Sequence, residues 1–158
     1  MKRTVIKITI SAVVLALSYL FITVFMVDNQ AETDGTIGVE IVDQDGTTVF
    51  TDDLDYRKGD TFFDVLDRRF DLTCASRTYQ PDPTCSHTFN RITHQGHVIL
   101  GIEGDDFDLM TDWRHTFLAI ELFDGERYVF ATESVSNLPY EDHAGVRISV
   151  REAREGSS

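Results

Sequence analysis

One stretch near the middle of the chain constrains the rest: Gly59-Asp60-Thr61-Phe62-Phe63-Asp64-Val65-Leu66-Asp67-Arg68-Arg69-Phe70. Phe62, Phe63, Leu66 and Phe70 stand at i, i+1, i+4 and i+8, so a 3.6-residue period gathers them into one stripe. Asp64, Asp67, Arg68 and Arg69 fall on the other side. Asp60 or Thr61 can cap the first turn, because a short oxygen-bearing side chain there accepts from N–H groups that have no partner within the helix. The two arginines at the far end suit the negative pole of the helix dipole. A helix of about three turns with three phenylalanines on one side needs a cover. Most of the chain beyond Phe70 alternates like β-strand, so the expected fold class is α+β, a sheet wrapped over one main helix.

The strands can be placed by alternation. Thr36 to Val42 puts Ile37, Val39 and Ile41 on one face, Asp45-Gly46 makes a hairpin turn, and Thr47 to Leu54 returns. Gly96 to Gly104 is a strand punctuated by glycines, with Val98, Leu100 and Ile102 sharing a face. Trp113 to Phe123 is the next, with Thr116, Leu118, Ile120 and Leu122 read as core and Trp113, His115, Phe117, Ala119, Glu121 and Phe123 opposite. Asp124-Gly125 is a second hairpin turn, and Glu126 to Thr132 comes back. Gly145 to Arg151 is the last strand, with Val146, Ile148 and Val150 inward.

The N-terminus is of a different kind. Ile8 to Val27 is an uninterrupted apolar run flanked by Lys2, Arg3 and Lys7, long enough to span about 30 Å as a helix. The basic flank favours a cytoplasmic N-terminus and an exported remainder. The run exceeds the usual cleavable core, and Asn29-Gln30-Ala31 is a poor cleavage site, so we expect an uncleaved anchor; secretion after cleavage is the alternative. No cysteine follows the run, which excludes a lipid-modified N-terminus. The expected organisation is an anchor over 1–27, a tether over 28–35, a domain over 36–151 and a disordered tail over 152–158.

Three of the 14 basic residues and none of the 27 acidic ones lie in the anchor. The exported part therefore carries 11 basic against 27 acidic residues, a net charge of −16, which repels nucleic acid and anionic lipid. Cys74 and Cys85, both exported, are expected to form a disulfide, since nearby residues offer neither metal-ligand spacing nor a base for a reactive thiol.

Reaction chemistry is not legible. Asp43-Gln44-Asp45-Gly46 lacks the glutamate of a calcium loop, and the aspartates from Asp105 to Asp112 lack a ligand spacing. His87, His94 and His97 match no familiar metal pattern, and no nucleophile motif or phosphate loop occurs, so no metal, catalytic residue or cofactor is expected. Trp113, His115 and Phe117 are the candidate ligand-binding residues, flat rings beside polar handles. The competing reading is that these rings close a second small core against the disulfide loop.

Four segments in order carry a resemblance. They are Gly59 to Leu66, Gly96 to Gly104, the strand from Trp113, and Ser136-Asn137-Leu138-Pro139-Tyr140-Glu141-Asp142 before the last strand. This order resembles a family of bacterial extracytoplasmic domains similar to the C-terminal domain of transcobalamin and intrinsic factor. The resemblance spans roughly Thr36 to Val150. It departs where members often read Trp, two or three residues, Tyr, then an Asn-Gly turn. Here Trp113 is followed by Phe117 and the later Asp124-Gly125.

The resemblance implies a ubiquitin-like β-grasp fold and capture of a small planar molecule, such as a cobalamin-type corrinoid, at the cell surface beside a transporter. A protein–protein interaction module with no small ligand is the alternative. A membrane-bound chain that keeps Lys2, Arg3 and Lys7 is the first prediction, checked by the intact mass of the protein from its native membrane. A mature N-terminus between Val27 and Thr36 would overturn it.

Overall fold

The computed structural model of the protein describes residues 13–15, 30–91 and 94–153. The expected transmembrane helix lies outside the described residues except for 13–15, which are helical. Among the described residues no helix is long and apolar enough to cross a membrane.

The architecture is α+β, with few helices and mostly antiparallel sheets. Strands β1 (Gly35–Val42) and β2 (Thr48–Tyr56) form the first hairpin. Asp43 shapes its turn by accepting from the Asp45 and Thr47 N–H groups, and Gly46 takes the left-handed φ of 82°. Helix α1 (Phe62–Asp67) comes next. A second sheet is then built from β3 (Asp71–Ala75), β4 (Pro81–Asp82), β7 (Ile99–Glu103) and β8 (Asp108–Met110) in the order β4-β3-β7-β8. A small hairpin of β5 (Phe89–Arg91) and β6 (His94–Gly96) interrupts it.

The chain then returns to the first sheet through β9 (Thr116–Phe123) and β10 (Tyr128–Phe130). Short 3-10 turns at Val135–Asn137 and Tyr140–Asp142 lead into β11 (Gly145–Glu152). The first sheet has the order β10-β9-β11-β1-β2, and β11 runs parallel to β1. Its inner face, with Ile37, Val39, Ile41, Val146 and Ile148 buried, packs on α1 and on Leu72, Cys74 and Ile102 of the second sheet.

Helix α1 is six residues long, shorter than the three turns its stripe suggested. The stripe itself is buried: Phe62, Phe63, Leu66 and Phe70 all join the core, as does Val65. Thr61 is the cap. Its hydroxyl accepts from the Asp64 N–H at 3.3 Å while Asp64 accepts from the Thr61 N–H at 2.8 Å, which satisfies two otherwise unpaired donors. Arg68 and Arg69 do not serve the helix dipole. Arg68 turns back to Asp60 at 2.8 Å and to the Asp55 carbonyl, and Arg69 reaches Asp105. Burial works against the charge on Asp60, but Arg68 and the Arg57 N–H hold its carboxyl below the usual range.

One expectation about a strand face and one about the domain's bounds are corrected. In β7 the pairing with β3 slips between Thr73 and Cys74, so Gly101 faces Thr73 while Ile99 faces Cys74. The extra residue, Leu100, breaks the alternation. Val98 and Leu100 enter a second cluster with Ala75 and Phe89, whereas Ile102 joins the main core. At the termini the domain extends further than its sequence pattern. Ala31 is buried and exchanges main-chain hydrogen bonds with Asp60 and Gly59, so the expected tether is stitched down from there. Glu152 ends β11 and the Ala153 N–H donates to the His115 carbonyl, which leaves 154–158 of the expected tail outside the described residues.

Cys74 and Cys85 are disulfide-bonded across a Cα separation of 4.9 Å. Leu66→Ala removes a fully buried side chain from the contact of α1 with both sheets. It should cost about 2 to 5 kcal/mol in denaturant unfolding. Thr61→Ala should cost about 1 kcal/mol.

Candidate functional site

The first sheet is complete where β10 flanks β9, but β10 covers only Glu121 to Phe123. Beyond that point the two sheets part around a cavity of about 430 Å3, within the range of about 300 to 1,000 Å3 typical of ligand pockets. Leu118, Ile120 and Ile148 of the first sheet form one wall, and Ile99 and Ile102 of the second form the other. The segment from Ala131 to Val135 closes a side. Trp113, Phe117 and Phe130 also line it. Phe117 meets Phe130 edge-on with ring centres 6.5 Å apart, and Phe130 is half exposed.

Trp113 and Phe117 thus reach the same cavity, though not by strand alternation. The strand begins at Thr116, because Asp112 captures the chain before it. One Asp112 oxygen accepts from the N–H groups of Arg114, His115 and Thr116 at 3.0, 2.7 and 3.1 Å. The other lies 2.6 Å from the His115 ring. A side chain that satisfies three successive N–H groups replaces the ladder with a turn. The His115 ring and these N–H groups hold the Asp112 carboxyl well below the usual carboxylate range. His115 is spent on this exposed turn, 83% of its side chain in solvent, and does not line the cavity. Trp113 sits on the turn in the left-handed region, with φ of 61°.

The competing reading of Trp113 also has a physical counterpart. With Tyr79 it packs on the second cluster of Ala75, Phe89, Val98 and Leu100. Tyr79 stacks on Phe89 at 5.0 Å and lies nearly parallel to Trp113 at 6.4 Å. The indole is half-buried, one part on this cluster and one part on the cavity.

His97 lines the cavity floor and is fixed on several sides. Its ring stacks on Phe63 at 3.9 Å, and its Nδ1 lies 3.3 Å from Ser136 Oγ, which also accepts the His97 main-chain N–H at 3.0 Å. Burial pushes its pKa down, against opposing pulls from a hydrogen bond to the Cys85 backbone and from Asp64 and Asp67. Gly96 allows this close approach, since a Cβ there would lie 2.5 Å from Ser136. Serine and histidine therefore clamp a 3-10 turn to the start of β7. Sequence reading placed neither residue here, because they are 39 positions apart and share no motif. Among the described residues no three His, Cys, Asp or Glu side chains gather to hold a metal ion.

The sequence reading also missed the largest part of the wall. Leu118 and Ile120 are expected in a filled core, yet both are only partly buried because they face the cavity instead of a packed layer. The alternating pattern of β9 marked their face correctly but carries no signal of an open cavity. Leu118→Ala should accordingly cost about 1 to 2 kcal/mol, less than Leu66→Ala, when the two are unfolded side by side in denaturant. A Leu118→Ala loss as large as that of Leu66→Ala would mean the cavity is closed in solution. Comparison of the chain with protein-family models, with curated proteins and with solved structures finds no match.

Proposed function

We propose that the domain is a membrane-anchored extracytoplasmic binding module whose cavity takes a compact apolar or planar aromatic ligand. The observation that carries this reading is the 430 Å3 cavity itself, apolar on both walls and edged by an indole and two phenyl rings. Removing apolar surface from water is worth about 25 cal/mol per Å2, so an unfilled apolar cavity of this size is space that a ligand stabilises by entering. Polar groups are few: His97 at the floor, already engaged, and Thr132, Glu133 and Ser134 at one side. The acidic balance of the exported part disfavours anionic ligands.

The disulfide supports an oxidising, exported location, and the N-terminal apolar run supports a membrane anchor. The strand order supports a ubiquitin-like β-grasp: the first and last strands lie parallel and adjacent, β2 flanks β1, the β9–β10 hairpin flanks β11, and the helix follows the first hairpin. Delivery of the ligand to a neighbouring transporter is the role suggested by the resemblance to transcobalamin-type domains. A whole corrinoid exceeds the cavity, so such a ligand would lie across the mouth on Trp113 and Phe130, whereas a single aromatic ring enters.

Trp113 is the chain's sole tryptophan, so its fluorescence reports the cavity directly. In the full chain held in amphipol, ethylbenzene should change that fluorescence saturably, with amphipol alone as the reference. Leu118→Phe, which intrudes on the cavity from its wall, should weaken the change. Equilibrium dialysis tests cobalamin separately. The absence of a saturable response to ethylbenzene would overturn the proposal.

A further inference from the structure

We infer that the group entering the cavity is the side chain of an extended peptide that adds to the open edge of β9, an inference that rests on the binding reading above. The pairing of β10 with β9 matches Tyr128 to Phe123, Val129 to Leu122 and Phe130 to Glu121. It continues one step further, where the Ala131 N–H donates to the Ile120 carbonyl at 2.9 Å. The next position on that edge belongs to Leu118, and in this register it would face residue 133. The chain does not go there. Glu133 turns aside, exposed, and its carboxylate accepts from the N–H and hydroxyl of Thr132.

Alternate residues of a strand direct their main-chain groups to opposite neighbours. The Ala153 N–H bonds the His115 carbonyl on the β11 side, and Ile120 bonds Ala131 on the β10 side. Leu118, two residues before Ile120, therefore presents its N–H and carbonyl to the edge that β10 leaves vacant. Among the described residues no backbone group meets it there. Directly paired residues of neighbouring strands send their side chains to the same face of a sheet. A peptide residue opposite Leu118 thus points its side chain onto the face of Leu118 and Ile120, which is the cavity wall.

The occupant has further required chemistry. The aromatic rings at the mouth suit an aromatic side chain, and Glu133 at the rim, in a chain whose part beyond the anchor carries −16, suits basic residues beside it. The opposite edge of the sheet is guarded. Asp52, Asp53 and Asp55 on β2 are exposed and discourage strand addition there. The vacant stretch of β9 carries no such charge between Thr116 and Ile120.

The probe is acetyl-Lys-Phe-Lys-amide, compared with the same peptide N-methylated at phenylalanine, which removes the donor to Leu118 while keeping the ring. Both are titrated against the full chain in amphipol, read by Trp113 fluorescence and by hydrogen exchange of the Leu118 amide, with ethylbenzene as the apolar control. The parent peptide should bind saturably and slow Leu118 exchange. The methylated peptide should bind roughly tenfold more weakly, and ethylbenzene should fill the cavity without slowing that amide. Equal binding of the two peptides, an unchanged Leu118 amide, or binding of ethylbenzene alone would overturn strand addition and leave the cavity reading standing. Failure of all three probes would overturn both.

Discussion

A helix of six residues has no independent stability in water, since too few hydrogen bonds form to offset the ordering of its first turn. Helix α1 persists because its apolar side is taken out of water by both sheets at once. Phe62 and Leu66 are wholly buried and Val65 nearly so, each burial contributing about 1.5 to 3 kcal/mol. The surroundings are tied to the start of this helix. Tyr140, buried between Tyr56 and Phe62, donates its hydroxyl to the Asp60 carbonyl at 3.0 Å, and Ala31 bonds the same carbonyl. The first hairpin, the 3-10 turns and the entering chain therefore converge on one short segment.

The two sheets do not match in extent, and the cavity results from that mismatch. Near α1 the space between them is filled by phenylalanines and by the disulfide, with Cys74 fully buried. Away from α1 the bulge in β7 turns Val98 and Leu100 toward their own small cluster with Phe89. Leu100 is then unavailable to fill the gap beneath Leu118 and Ile120, while Val98 belongs both to that cluster and to the cavity wall. The slipped residue of that strand, Leu100, thus sits in the second cluster beside the cavity.

What was legible in the sequence was what depends on neighbours close along the chain. The stripe from Phe62 to Phe70, the alternation of Ile37, Val39 and Ile41, and the turns at Gly46 and Gly125 each reflect a period or a local backbone need, and the structure has all of them. The disulfide was legible from compartment chemistry. The start of β9 was not, because the alternation from Trp113 onward conceals the pull of Asp112 on three N–H groups. Nor was the bulge, which exists only in the register between β7 and β3. Of the three candidate rings, Trp113 and Phe117 meet at the cavity while His115 is turned to Asp112. The rest of the cavity depends on where β10 stops, and Phe130-Ala131-Thr132 shows no breaker that marks it.

The position of β11 has a consequence for how the domain comes into being. It is the last strand in the chain, yet it lies between β1 and β9 at the centre of the first sheet. Until it arrives, β1 and β9 cannot join, and the hairpins they belong to remain separate halves. Pairing Gly38 with Gly145 closes more than a hundred residues in one step, a slow kind of contact because the intervening loop must be ordered before any bond rewards it. The domain therefore completes its fold only after Glu152 has left the ribosome. Until then, the apolar faces of β1 and β9 wait in two unjoined halves, open to any other strand edge nearby.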